Sequence, residues 1–130
     1  MQEEKKKTQH QKRLALVFVL SNFFLFRVRD EEFFELQMNA DKASVLKKVS
    51  PETLKQVLCL KEYLISRIEK CLKKGGGKTS FTLLASFEQA LLLTATYEIL
   101  YLGLKKAIVI DEAVIIAKKF RKGKVFRFVN

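Results

Sequence analysis

Residues 86–120 read SFEQALLLTATYEILYLGLKKAIVIDEAVIIAKKF, and this stretch decides the fold. The pattern predicts two helices joined by a turn at Gly103. Ser86 is placed as the N-cap of the first, with Gln89 three residues on, the spacing of a capping box. Apolar residues then run through Ala90, Leu91, Leu93, Ala95, Tyr97, Ile99, Leu100 and Tyr101, so this helix is apolar nearly all round and is expected at the centre of the molecule. Gly103 suits the left-handed residue that ends a helix. The second helix gathers Ala113, Val114, Ile116, Ala117 and Phe120 on one side. Lys118 and Lys119 are expected in its last turn and Asp111 and Glu112 at its start, where each charge complements the helix dipole. Tyr97-Glu98 reads as structural or interfacial, with no second carboxylate placed to face Glu98.

Upstream, Ser50-Pro51-Glu52 is a helix start: a capping hydroxyl, a proline at the first position and an acid in the first turn. Leu54, Val57, Leu58, Leu64, Ile65, Ile68, Cys71 and Leu72 recur at threes and fours, while Lys55, Lys61, Glu62, Arg67 and Lys70 are expected to face water. Gly75-Gly76-Gly77 ends this helix, and residues 79–85 read as one short helical turn. A short helix is expected over residues 30–38, with Phe33, Phe34 and Leu36 apolar, followed by a brief turn through Val45, Leu46 and Val49 that Asp41 would cap. Residues 14–26 are too apolar for a surface helix. Val17 and Val19 permit a strand locally, but the basic lead-in and the length favour a buried helix. Its first turns would carry Lys12 and Arg13 outward.

Gly75-Gly76-Gly77-Lys78-Thr79 imitates a phosphate-binding loop, and Ile108-Val109-Ile110-Asp111-Glu112 imitates the strand and acid that hold magnesium in such enzymes. The motif needs a glycine where Leu72 stands and a strand where the chain has its strongest helix pattern. The triple glycine therefore reads as a helix connection and not as an NTPase site.

One domain over residues 1–130 is expected, all-α, a compact bundle of about six or seven helices, with residues 1–10 frayed and helix beginning near Thr8. Hydrophobic residues make up 48% of the chain with five Gly and one Pro, which favours helices over a turn-rich β fold. Twenty-five Lys and Arg against 14 Asp and Glu give a net charge of +11, which points to a polyanionic partner. The basic residues concentrate at the two ends. Residues 1–13 hold five cations and two acids, and residues 118–127 hold six cations and no acid. His10 is the single histidine, which argues against Ser-His or Cys-His catalysis. Cys59 and Cys71 form no CxxC, so zinc is not expected, and both are placed as buried free thiols in a cytoplasmic protein. No catalytic residue, metal site or cofactor is indicated. Residues 14–26 fall short of the ~20 needed to span a bilayer, and no small-residue cleavage site follows them.

Ala90-Leu91-Leu92-Leu93-Thr94-Ala95-Thr96-Tyr97-Glu98-Ile99, then residues 108–120 around Asp111-Glu112-Ala113, then Arg127-Phe128-Val129-Asn130, together resemble the C-terminal half of the NusB family of bacterial transcription antitermination factors. The resemblance implies two packed three-helix subdomains and a non-catalytic RNA-binding role. Family members pair with NusE, a small-subunit ribosomal protein, and the pair holds a single-stranded boxA sequence of nascent ribosomal RNA for delivery to the transcription elongation complex. Carried onto this chain, the resemblance implies that Lys5, Lys6, Lys7, Lys12 and Arg13 meet phosphates. It places Lys124, Arg127, Phe128 and Asn130 near the RNA, and Glu88 towards the ribosomal-protein partner. Lysine neutralises phosphate without arginine's bidentate fork, so this segment is expected to read bases weakly. Two other readings compete: a helical protein–protein adaptor that does not bind RNA, and a membrane-surface protein anchored by residues 1–26. No small-molecule substrate is expected.

Overall fold

The computed structural model describes residues 8–74 and 80–129, with side chains as far as Phe120 except that of Val45. Among these residues there are five α-helices and two 3-10 turns, one fewer α-helix than the low end of the sequence expectation, because two predicted short elements are single 3-10 turns.

Helix α1 (Gln9–Phe26) begins at Thr8, whose hydroxyl accepts from the Gln11 backbone N–H at 3.1 Å while the Gln11 side chain accepts from the Thr8 N–H at 3.0 Å. This reciprocal box satisfies two donors that a helix start otherwise leaves open. The helix ends at Arg27, an L-residue held at φ 57. Helix α2 (Asp30–Asn39) opens on Asp30, Glu31 and Glu32, three acids where the dipole favours them. The following 3-10 turn (Val45–Lys48) is capped by the Ser44 side chain; Asp41, expected as the cap, contributes only its backbone carbonyl. Gln37, itself buried, donates to the carbonyls of Leu46 and Val49 at 3.1 and 2.7 Å and so ties the turn to α2.

Helix α3 (Pro51–Lys74) starts as expected, with the Ser50 hydroxyl accepting from the Thr53 N–H. Its buried stripe is Leu54, Val57, Leu58, Leu64 and Ile68. Both cysteines are exposed, contrary to expectation. Cys59 lies one 100° step past Leu58, off the stripe, and Cys71 lies beyond Ile68, its last buried member. Lys61, expected in water, is largely covered: its ammonium donates to Asp30 at 2.9 Å and sits 5.0 Å from the centre of the Phe23 ring. The stem of a lysine covers apolar surface readily while its head finds an acid.

A 3-10 turn (Phe81–Leu83) leads into helix α4 (Ser86–Leu100). The N-cap of α4 is Ala85, one residue before the expected Ser86. Glu88 accepts from the Ala85 N–H at 3.1 Å, and Gln89 instead donates to the Phe81 carbonyl. Helix α5 (Lys106–Val129) runs well past Phe120, so Lys118 and Lys119 lie mid-helix and not in its last turn.

Helix α4 is central, as its all-round apolarity implies. Its main partner is α1, and it also carries α3 and α5. Val17, Leu20, Phe33, Leu54, Leu64, Leu93, Tyr97 and Ile116 form one core with their neighbours. On α5, Val109 and Ile116 are buried, whereas Val114, expected inside, is 45% exposed. Phe18 packs on Phe120 at 5.3 Å between ring centres, and Phe87 on the same ring at 5.3 Å. Phe87 and Phe120 thus pack against the core, whereas Phe26 at the end of α1 is 51% exposed.

Gly103 sits at φ 69 between α4 and α5, and a β-carbon there would meet nothing within 4 Å. The only penalty for a side chain is the left-handed backbone itself. Gly103→Ala is therefore expected to cost about 1–2 kcal/mol, read as a lowered urea midpoint with an unchanged slope.

Candidate functional site

The start of α1 is fixed by charge. Arg13 is 3% exposed, and its Nε donates to Oε1 of Glu98, itself 2% exposed, at 2.7 Å. Its Nη1 donates to Oε1 of Glu112 at 3.1 Å. The second oxygen of Glu98 accepts from the Gln9 amide at 2.8 Å, and His10 Nδ1 lies 2.8 Å from Glu112 Oε1. Two turns of α1 are thereby joined to the end of α4 and the start of α5. A buried charge is tolerated only with such partners.

This corrects the sequence reading in two places. Arg13 does not point outward with Lys12; it is an internal cation, and only Lys12 of the pair is exposed. A second carboxylate does approach Glu98, because Glu112 shares the same guanidinium. Helix α5 begins at Lys106, so Asp111 and Glu112 lie in its second turn and not at its start, and Glu112 serves the ion pair instead of the dipole. One signal was available: a glutamate in a helix apolar nearly all round requires a cation, and Arg13 is the cation that directly precedes the apolar run of α1.

Beside Lys12 opens a cleft of about 890 Å³ between α1, the Val45–Lys48 turn, the start of α3 and the end of α4. Leu16, Val49, Leu102 and Leu104 supply apolar walls, and Lys12, Lys48, Thr53 and Gln56 supply polar groups. On its floor Tyr97, 2% exposed, donates from its hydroxyl to Gln56 Oε1 at 2.9 Å. Burial, and then the neighbouring Tyr101, raise the Tyr97 phenol above the ordinary tyrosine range. The folded state thus holds this proton more tightly than the unfolded chain. The resulting stability is complete below the ordinary phenol range and is lost as pH rises through the folded value. In an ultraviolet titration Tyr97 is expected to ionise above the ordinary phenol range, together with loss of helical signal, and Tyr97→Phe should remove that step.

Lys5, Lys6, Lys7 and Asn130 lie outside the described residues, as does the Gly75–Thr79 segment. Lys124, Arg127 and Phe128 fall on the last part of α5, with side chains outside the description. The contacts of Arg13 with Glu112 and of Phe18 with Phe120 show α1 and α5 running in the same direction. Lys124 therefore lies about 18 Å further along α5 than Glu112, at 1.5 Å per residue. Glu88 begins α4, close to the Phe18, Phe87 and Phe120 cluster and away from the cleft. The outer side of α5 leaves Ile108, Ile110, Val114 and Ile115 exposed, and Leu100, Tyr101 and Leu102 at and just beyond the end of α4 are exposed as well. Among the described residues no cluster of His, Cys, Asp or Glu is arranged to hold a metal ion, and no helix is long and apolar enough to cross a membrane.

The class these features define is a small all-helical protein whose first helix carries a basic start pinned to a central apolar helix. The sequence pattern of the NusB family matches residues 10–130, and the chain belongs to that family. The transcription antitermination protein NusB of Sulfurimonas denitrificans is 32% identical over 126 residues, covering 95% of this chain and 91% of that protein. The Campylobacter concisus protein of the same name is 29% identical over 126 residues, with the same two shares of 95% and 91%. That of Wolinella succinogenes is 35% identical over 66 residues, 51% of this chain and 49% of the relative. No solved structure matches the chain.

Proposed function

We propose that this chain is a non-catalytic transcription antitermination factor of the cytoplasm. In this reading it binds boxA-like single-stranded RNA in nascent ribosomal transcripts, pairs with the ribosomal protein NusE and joins the elongation complex. The observation that carries the reading is the basic start of α1, held rigidly by the Arg13–Glu98 pair at the edge of a polar-rimmed cleft. Phosphate recognition needs cations held in place, and the pinned helix start holds the exposed Lys12. Lys12, with Lys5, Lys6 and Lys7 before it, meets the RNA backbone. Arg13 acts from inside as a positioning residue. Lys124, Arg127, Phe128 and Asn130 contribute a second, more distant contact, and Glu88 belongs to the partner-facing end.

The test is fluorescence anisotropy with a boxA-like strand and a scrambled control at two salt concentrations, with and without NusE. The expected result is a preference for boxA that grows with the partner. Lys12→Ala is expected to weaken both RNAs and to lower the slope of log affinity against log salt by about 0.7, the value for one lost single-strand phosphate contact. Equal binding of both RNAs with and without NusE would reduce the site to a generic basic surface. Binding of neither would sink the reading in favour of a protein adaptor.

A further inference from the structure

The cleft beside Lys12 is larger than phosphate contacts require. At about 890 Å³ it falls in the ~300–1,000 Å³ range of ligand pockets, and its lining sorts into apolar walls, a polar floor and a cationic rim. The wall residues Leu16 and Val49 are nearly fully buried elsewhere, so their cleft-facing edges are what a ligand would meet. Gln56 is held by the Tyr97 hydroxyl on Oε1, which leaves its amide hydrogens and a second lone pair on the same oxygen. A fixed carboxamide with donor and acceptor side by side matches the edge of a nucleobase. Glu98 also lines the cleft, but its two oxygens are occupied by Arg13 and Gln9, which tempers its repulsion of a phosphodiester.

We propose that this cleft is a nucleobase subsite. One base of a bound single-stranded RNA turns out of the stack and enters between Leu16, Val49 and Leu102, its edge meets Gln56, and the flanking phosphates meet Lys12 and Lys48. This rests on the RNA-binding reading above and adds where a base is read. Splayed bases are the usual target of single-strand recognition, and a base in an apolar slot adds affinity that salt does not screen.

The experiment uses the full chain, a boxA-like RNA and a set of the same RNA with one abasic nucleotide at each position in turn. Gln56 and Leu102 are both exposed at the cleft, so Gln56→Ala and the cleft-filling Leu102→Trp test it by different means. Each variant is expected to bind about tenfold more weakly with an unchanged salt slope, in contrast to Lys12→Ala. One abasic position should reproduce the loss, and Gln56→Ala should add nothing further at that position. Wild-type affinity in both variants, with Gln56→Ala and every abasic site strictly additive, would overturn the subsite while leaving RNA binding intact. Failure of the wild-type chain to bind any RNA would overturn both.

Discussion

Glu98→Ala is expected to destabilise the fold by about 3–5 kcal/mol, the cost of leaving a buried charge without its partner. Arg13 and Glu98 are 3% and 2% exposed, so neither draws much of its solvation from water in the folded protein. Glu112 remains 3.1 Å from Nη1, but it is 30% exposed and already shared with His10. The penalty therefore comes from the stranded guanidinium more than from any net strength of the pair. Removing both charges should recover most of it: Arg13→Met combined with Glu98→Leu is expected to fall within about 1–2 kcal/mol of the wild type, since well-packed apolar residues replace buried pairs at little cost. Urea unfolding of the two single variants and the double variant measures this coupling. A Glu98→Ala variant within 1 kcal/mol of wild type (about the scale of a surface ion pair) would contradict the buried-pair account.

Phe33→Ala is the second large effect, expected at about 3–5 kcal/mol. The Phe33 ring is fully buried and meets Phe23 edge-on at 5.2 Å between centres. Phe23 in turn meets Phe24 at 5.3 Å and lies under Lys61, whose ammonium also donates to Asp30 at the start of α2. Truncation removes the anchor that holds the short α2 against α1 and α3 and leaves a cavity there. Phe33→Leu, which keeps most of the volume, is expected to cost under about 1.5 kcal/mol. Urea midpoints at constant slope separate the two outcomes, and equal losses for Ala and Leu would mean that ring packing does not hold α2 in place.

The helical architecture was legible because its signals are local. The Ser50-Pro51-Glu52 start, the Thr8 boundary, the left-handed Gly103 and the central position of α4 all follow from capping chemistry and periodicity. What escaped depends on neighbours. Arg13 reads as one more cation of a basic lead-in until Glu98 and Glu112, which lie far along the chain, are brought to it. Lys61 reads as a water-facing residue until Asp30 and Phe23 cover it. The cysteines were misplaced because a wide apolar stripe was assumed where α3 buries a narrow one. The cap of α4 slipped by one residue because a glutamate side chain can close a helix start whose N-cap is alanine. The cleft has no sequence signal: Gln56 and Tyr97 are unremarkable until α3 and α4 set them side by side.

The central claim, that this member of the NusB family acts on transcription through RNA, is tested most directly by terminator read-through in a reconstituted elongation system. Two templates are compared, with and without a boxA-like sequence upstream of the terminator, in the presence of NusE and the other elongation factors. The account predicts that adding this protein raises read-through on the boxA template alone, and that Lys12→Ala diminishes the gain. The same read-through on both templates, with or without the protein, would contradict it.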